Sequence, residues 1–322
     1  MEFNKIKHFK LLNAKNNGLL VTESTDSNIE LDNYIKFNSN EIERNLIENG
    51  AILFRNFSVK TIEDFQEISS MFTDELLDYS HRSSPRTNVN GKVFSSTEYP
   101  SDFYIPLHNE SSYSKNWPDR ILFFCVTPPE NDGETPIADS RTIFKNLDKS
   151  VVKKFKEKGV MYVRNFHNNI GMSWEEVFQV SSKEECERYC LDNDIHFEWL
   201  ENGILQTYNI CNSTTTHPIT LEEVWFNQAH LFSVYSFEEE IRNQLFETFS
   251  SEMLPRNAFY GDGTNIEQSI IKEIMNVYKE HTIKFAWKKS DLLLLDNILF
   301  SHGRMPFKGE RKIVVTMGNK SL

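Results

Sequence analysis

Apolar positions recur at helical spacing in several windows of the chain and at strand spacing in others. Ser39 to Asn49 reads as an amphipathic helix stopped by Gly50. Ala51 to Phe57 (AILFRNF) reads as a buried strand. Thr61 to Leu77 returns to helical spacing, with Ile62, Phe65, Ile68 and Phe72 on one face. From Val93 the texture changes to short apolar runs broken by Pro and Gly: VFSSTEY, ILFFCV and TPIAD. Arg141 to Gly159 is a charged helix, and Trp174 to Asp192 holds one or two short ones. Ile204 to Ile210 and Glu223 to Phe226 read as strands, and Phe237 to Glu252 and Ile266 to Glu280 as amphipathic helices. The last forty residues, about, return to strands in IKFAW, DLLLLDN and RKIVVTMG.

Strand-rich segments therefore flank a helix-rich one, and no Ser/Gly linker divides them. The expectation is a mainly β architecture with flanking helices (α+β), in a single domain over residues 1–322. Its strands fall at about 51–140 and 204–320, with a helix-rich insertion at about 141–290 between and around them. A βαβ alternation with a Gly-rich phosphate loop is absent, which sets aside a dinucleotide-binding fold.

Composition narrows the partners. Charged residues are 25% and apolar ones 39%, the balance of a globular chain. The net charge of −12 argues against nucleic acid or an anionic membrane as the main partner, since both call for clustered Lys and Arg. The longest uncharged apolar run, Ile121 to Pro129, is far short of the roughly 20 residues of a bilayer span. The opening MEFNKIKHFK has no apolar signal core, and the 4 Cys are too few for a disulfide framework, so a cytoplasmic location is expected. Cys186 and Cys190, four apart on a helix, read as incidental.

The chemistry concentrates in His108-Asn109-Glu110. On a strand, residues i and i+2 share a face, so imidazole and carboxylate would point into one cavity. His302 follows the apolar DLLLLDNILF far downstream. Two His and one carboxylate are the ligand set of non-haem Fe(II) oxygenases, which leave coordination positions open for substrate and oxygen. HxE alone is a weak signal in a chain with 9 His. Its setting strengthens it. Arg311 lies nine residues beyond His302, and an Arg fork takes a carboxylate in a bidentate pair. Thr135, in NDGETPIAD, offers a hydroxyl to the same carboxylate. A zinc hydrolase does not need this clamp. An iron enzyme that chelates a 2-oxo acid does.

Several stretches then carry a resemblance. They are RSSPRTNVNGKVFSSTEYP from Arg82, IPLHNESSY from Ile105, WPDRILFFC from Trp117 and GETPIADSR from Gly133. GMSWEEVFQ from Gly171, HPITLEEVWFNQAHLF from His217, LPRNAFYGDG from Leu254 and HGRMPFKGER from His302 follow. In this order they resemble the TauD/TfdA family of Fe(II)- and 2-oxoglutarate-dependent dioxygenases, in texture its SyrP-like, clavaminate synthase-like branch. The resemblance spans about residues 50 to 320. It implies a double-stranded β-helix, or jelly roll, with helices outside. It places His108, Glu110 and His302 on the metal ligands, and Thr135 and Arg311 on the 2-oxoglutarate contacts. Much of the wider family has HxD where this chain has HxE. Halogenating relatives lack the carboxylate, so Glu110 disfavours halogenation.

The resemblance implies hydroxylation of an amino acid or amino-acid-like unit, free or tethered to a carrier protein, with molecular oxygen consumed and 2-oxoglutarate converted to succinate and CO2. Epoxidation, desaturation or cyclisation with the same cofactors stands beside it, as does a non-catalytic metal- or metabolite-binding jelly roll. Ser96, Thr97, Glu98, Asn227 and Arg304 are the candidate substrate contacts. For each, a structural role weighs as much.

Overall fold

The computed structural model describes residues 5–79, 86–96, 99–167, 170–201 and 203–320. Two sheets of unequal size carry the candidate site. The larger runs, in spatial order, through Ile6–Leu12, Gly18–Ser24, Ala51–Arg55, Leu292–Asp296, Arg120–Thr127, Lys312–Asn319, Val93–Ser95 and Asn88–Asn90. The smaller has Phe300–Arg304 at its centre, between Ile137–Asp139 and Ile105–His108. This is a mixed α+β architecture of the jelly-roll type.

Leu292–Asp296 sits between two antiparallel neighbours, Ala51–Arg55 and Arg120–Thr127. A central strand covered on both faces has no solvent side, which is why its sequence is a run of Leu rather than an alternation. Leu292, Leu293, Leu294 and Leu295 are all fully buried, each contributing about 1.5–3 kcal/mol of apolar burial. Alternate members face different cores. Leu293 and Leu295 join the cluster holding Phe123, Ile137 and Phe300. Leu292 and Leu294 join the one under the helix Leu31–Asn49. A buried Arg55–Asp291 pair at 2.6 Å closes the head of the strand.

The helix expected from Ser39 begins earlier, at Leu31, because Leu31, Tyr34 and Ile35 extend the same buried stripe. Gly50 ends it in the left-handed region, at φ 71°. The helix expected over Thr61 to Leu77 is only Ile62–Ser70, opened by a capping box between Thr61 and Asp64. The charged helix from Arg141 is two, Ser140–Asn146 and Lys149–Lys158, the second with Asp148 as its N-cap. Trp174–Phe178 and Lys183–Asp192 are separate helices. IKFAW is not a strand. Ile283, Phe285 and Trp287 alternate into the core, but only Ile283 bridges another strand, at Ile137.

The segment expected to be rich in helices also carries its own antiparallel sheet. Its order is His196–Trp199, Leu205–Cys211, Val160–Phe166 and Arg256–Tyr260. Among the described residues no helix is long and apolar enough to cross a membrane.

Candidate active site

Phe300–Arg304 and Ile105–His108 pair so that His302 lies directly opposite His108. Their ring centroids are 4.6 Å apart. The register breaks between His302 and Arg304, at Gly303. A Cβ there would stand 2.5 Å from the Ile105 carbonyl oxygen, so only glycine lets the two strands close at this point.

Glu110 reaches the same place by another route than a strand. The strand ends at His108, and Glu110 belongs to the turn that follows, ahead of Ser111 at φ 57°. Same-face alternation is therefore not what aims the carboxylate. Asn297 does that. Its Oδ1 accepts from the Glu110 backbone N–H at 2.8 Å, and its Nδ2 donates to the Glu110 carbonyl at 3.0 Å. Asn109 turns away, donating to the Asn297 carbonyl at 2.6 Å.

Donor atoms of His108, Glu110 and His302 lie within 4.8 Å of one another, and all three residues are buried. Nδ1 of His108 donates to the Pro106 carbonyl at 2.8 Å, which leaves Nε2 as the free lone pair. Burial, then the neighbouring His302, pushes the His108 imidazole down to about 3, so it is neutral at physiological pH, as a metal ligand must be. Burial pulls the Glu110 carboxyl upward. The Arg86 guanidinium and the two imidazoles overcome it and hold the carboxyl well below the usual range. Oε1 of Glu110 and Nδ1 of His302 are buried without a hydrogen-bond partner. Orphaned donors and acceptors of this kind are costly unless something binds them. Two imidazoles and one carboxylate converging on one point fit Fe(II).

Arg311 and Thr135 meet beside this cluster. The Arg311 guanidinium donates through Nε to the Gly133 carbonyl at 2.9 Å, through Nη1 to Ser96 Oγ at 3.2 Å, and through Nη2 to Thr135 Oγ1 at 3.4 Å. Trp287 Nε1 donates to the same hydroxyl at 3.1 Å. Burial, then Arg304, pulls Arg311 down to about 10, still charged at neutral pH. A buried cation with no carboxylate beside it among the described residues is suited to bind an anion. His108, His302, Thr135, Ser96, Arg304 and Arg311 all line one cavity.

The remaining candidates divide. Arg304 lines the cavity, but its fork fastens the loop before Ile105–His108, donating to the carbonyls of Tyr99, Pro100 and Phe103 at 2.7, 2.6 and 3.1 Å. Asn227 does not line this cavity among the described residues. Its Nδ2 donates to the Ser213 carbonyl and its Oδ1 accepts from the Ala229 N–H, so it braces a turn. Its neighbours Gln228 and His230 donate to backbone carbonyls beside the cluster, His230 to Leu107 in the strand Ile105–His108 and Gln228 to Asn109 just beyond it, each at 2.8 Å. Thr97 and Glu98 lie outside the described residues.

Sequence reasoning missed Arg86. It lines the same cavity, and its Nη2 donates to Glu110 Oε2 at 2.6 Å. It sits within the RSSPRTNVN stretch, but no spacing marks it out.

The Taurine catabolism dioxygenase TauD, TfdA family matches residues 16–317. The chain belongs to the TauD/TfdA dioxygenase family. It is therefore a non-haem iron, 2-oxoglutarate-dependent oxygenase. It is 38% identical over 298 residues to the dapdiamide synthesis protein DdaC of Enterobacter agglomerans, covering 92% of this chain and 90% of that protein. It is 30% identical to a clavaminate synthase-like protein of Arabidopsis thaliana, covering 88% of this chain and 86% of that one. Among solved structures it resembles PvcB of Pseudomonas aeruginosa, with a TM-score of 0.59 at 12% identity over 100% of this chain and 94% of that one. An asparagine oxygenase matches with a TM-score of 0.56 at 10% identity, over 89% and 79% of the two chains. At such identities the likeness is one of fold, and the TauD/TfdA fold it indicates is the one described above.

Proposed function

We propose that this oxygenase hydroxylates an amino acid or amino-acid-derived unit in a biosynthetic pathway, with His108, Glu110 and His302 as its iron ligands. Thr135 and Arg311 bind the distal carboxylate of 2-oxoglutarate. The observation that carries this reading is the convergence of a neutral imidazole, a second imidazole and an ionised carboxylate beside a buried, charged Arg311. The substrate class is supported by relatives. DdaC is a dapdiamide synthesis protein. The asparagine oxygenase holds 3-hydroxyasparagine and succinate with Fe(II). A substrate carried on a carrier protein stays within this reading. So does a single dioxygenase domain over residues 1–322.

Bound iron and 2-oxoglutarate supply oxygen activation, with decarboxylation of the 2-oxo acid to succinate and CO2. The chain's own residues do the rest. Asn297 and the Pro106 carbonyl fix the ligands, Arg311 sets the register of the co-substrate, and Phe123, whose ring is 5.1 Å from that of His302, keeps water from the metal's flank. The test is succinate formation with oxygen over a panel of free and carrier-bound amino acids, with products weighed. One added oxygen atom in a product of the wild type, and no succinate from His108→Ala, is expected. Loss of two hydrogens would replace hydroxylation by desaturation, and normal turnover in the variant would remove His108 from the ligand set.

A further inference from the structure

The segment IKFAW joins no sheet, yet one of its side chains reaches the groups beside the metal cluster. Ile137 and Ile283 exchange two backbone hydrogen bonds, at 3.0 and 2.8 Å. This bridge sets the segment 133–137 alongside 283–287. Thr135 lies two residues before it on the first, and Trp287 four residues after it on the second. Trp287 is buried, and its ring stands 4.8 Å from that of Phe285 in an edge contact. Packing therefore fixes the indole, and its one polar atom, Nε1, donates to Thr135 Oγ1 at 3.1 Å. Thr135 lines the metal cavity; among the described residues lining it Trp287 does not appear.

A threonine hydroxyl has one proton and two lone pairs. At Thr135 both lone pairs are engaged. Trp287 Nε1 donates to one, and Arg311 Nη2, at 3.4 Å, to the other. The proton is all that the oxygen has left to offer. Among the described residues Thr135 Oγ1 accepts twice and donates to none. A buried donor without an acceptor is costly unless something binds it, and Thr135 is buried. The indole N–H and the guanidinium cannot accept either. This end of the cavity therefore offers donors, and a carboxylate ion is acceptor only.

We propose that Trp287 is a positioning residue for the co-substrate. By filling one lone pair of Thr135 it makes the hydroxyl an obligatory donor, so that this end of the cavity selects a carboxylate. The role rests on the proposed function, which gives the distal carboxylate of 2-oxoglutarate to Thr135 and Arg311. Without the indole N–H one lone pair is free, and the hydroxyl can rotate its proton away from the ligand. Arg311 keeps its charge either way, so selectivity changes while the site survives.

The test is anaerobic binding to the Fe(II)-loaded protein, read by calorimetry and by the visible band of the iron–2-oxoacid complex. 2-Oxoglutarate is compared with 2-oxopentanoate, which has the same chain with a methyl group in place of the distal carboxylate. In Trp287→Phe, 2-oxoglutarate is expected to bind about fivefold more weakly, the worth of one neutral hydrogen bond, and 2-oxopentanoate as in the wild type. A purely structural role for the indole would weaken both acids alike. That result overturns the proposal, as does an unchanged preference between them. Added to Thr135→Val, the same substitution is expected to have no further effect, and a loss that adds in full also overturns it. If Trp287→Phe does not fold, benzothienylalanine at position 287 keeps the ring and lacks the N–H, and the same outcomes apply. The oxygenase reading fails separately, on the wild type alone, if no band forms. A band with equal affinity for the two acids in the wild type removes the distal clamp, and the role of Trp287 with it.

Discussion

Arg86 and Glu110 form an ion pair of 2.6 Å with side chains 3% and 1% exposed. Arg86 is packed 4.4 Å over the Tyr79 ring, so the guanidinium is held in place from both sides. In the metal-free protein it is the principal positive charge compensating this carboxylate. Breaking a buried pair by removing one partner costs about 3–5 kcal/mol. Arg86→Met should destabilise the metal-free protein by that order. A divalent cation supplies the missing charge, so Mn(II) should raise the melting temperature of the variant more than that of the wild type. Equal increments in the two proteins would show that Arg86 does not act through Glu110.

Arg311→Ala should weaken 2-oxoglutarate binding by roughly 10²-fold, the worth of a charge-assisted pair of about 1.5–3 kcal/mol. Thr135→Val keeps the volume and removes one hydroxyl, so about tenfold is expected. Both are read as the concentration dependence of the rate on 2-oxoglutarate. An unchanged dependence in Arg311→Ala removes the clamp.

Asn297 ties the Glu110 backbone by both its N–H and its C=O and also donates to the Pro118 carbonyl at 2.8 Å. Asn297→Ala leaves these buried groups unmatched, at a cost of roughly 2–3 kcal/mol. It should also lower Co(II) affinity at least tenfold, because the carboxylate loses its aim. A stability loss with undiminished metal affinity would reduce Asn297 to a purely structural role.

The metal-free protein should lose stability as pH falls. Burial pushes the His230 imidazole from 6.5 down to about 4. The unfolded chain therefore takes up this proton near 6.5 and the folded chain only near 4. Between those values the unfolded state holds more protons, and stability drops by up to about 1.4 kcal/mol per pH unit for this group. His108, pushed down to about 3, acts in the same direction. Denaturant titrations at pH 7 and pH 5 should show a shallower dependence in His230→Gln. An identical slope would mean that His230 is not excluded from protonation by the fold.

Much of this was legible in the sequence. The Leu run of Leu292–Asp296 and the stripe ending at Gly50 are local patterns, and local patterns survive into the fold. HxE, a distant His and the Arg nine residues on gave the candidate site, because each chemical group is scarce enough to be noticed. What escaped depends on tertiary contacts. Arg86 meets Glu110 across 24 residues of chain, and nothing in its Ser/Pro-rich surroundings signals that. Asn297 ended an apolar run and read as a strand terminus, although it orients the carboxylate. IKFAW alternates like a strand because three of its side chains pack into the core, and burial imposes that period without a ladder. The sheet strands at Val160–Phe166 and Arg256–Tyr260 were missed because each mixes Arg and Asn with apolar residues.

The most direct test of the account is anaerobic addition of Fe(II) and 2-oxoglutarate to metal-free protein, followed in the visible spectrum. The account predicts the weak charge-transfer band of a chelated iron–2-oxoacid complex in the wild type, and its loss in His302→Ala. Binding of Fe(II) with no such band, or a band that persists in His302→Ala, would contradict it.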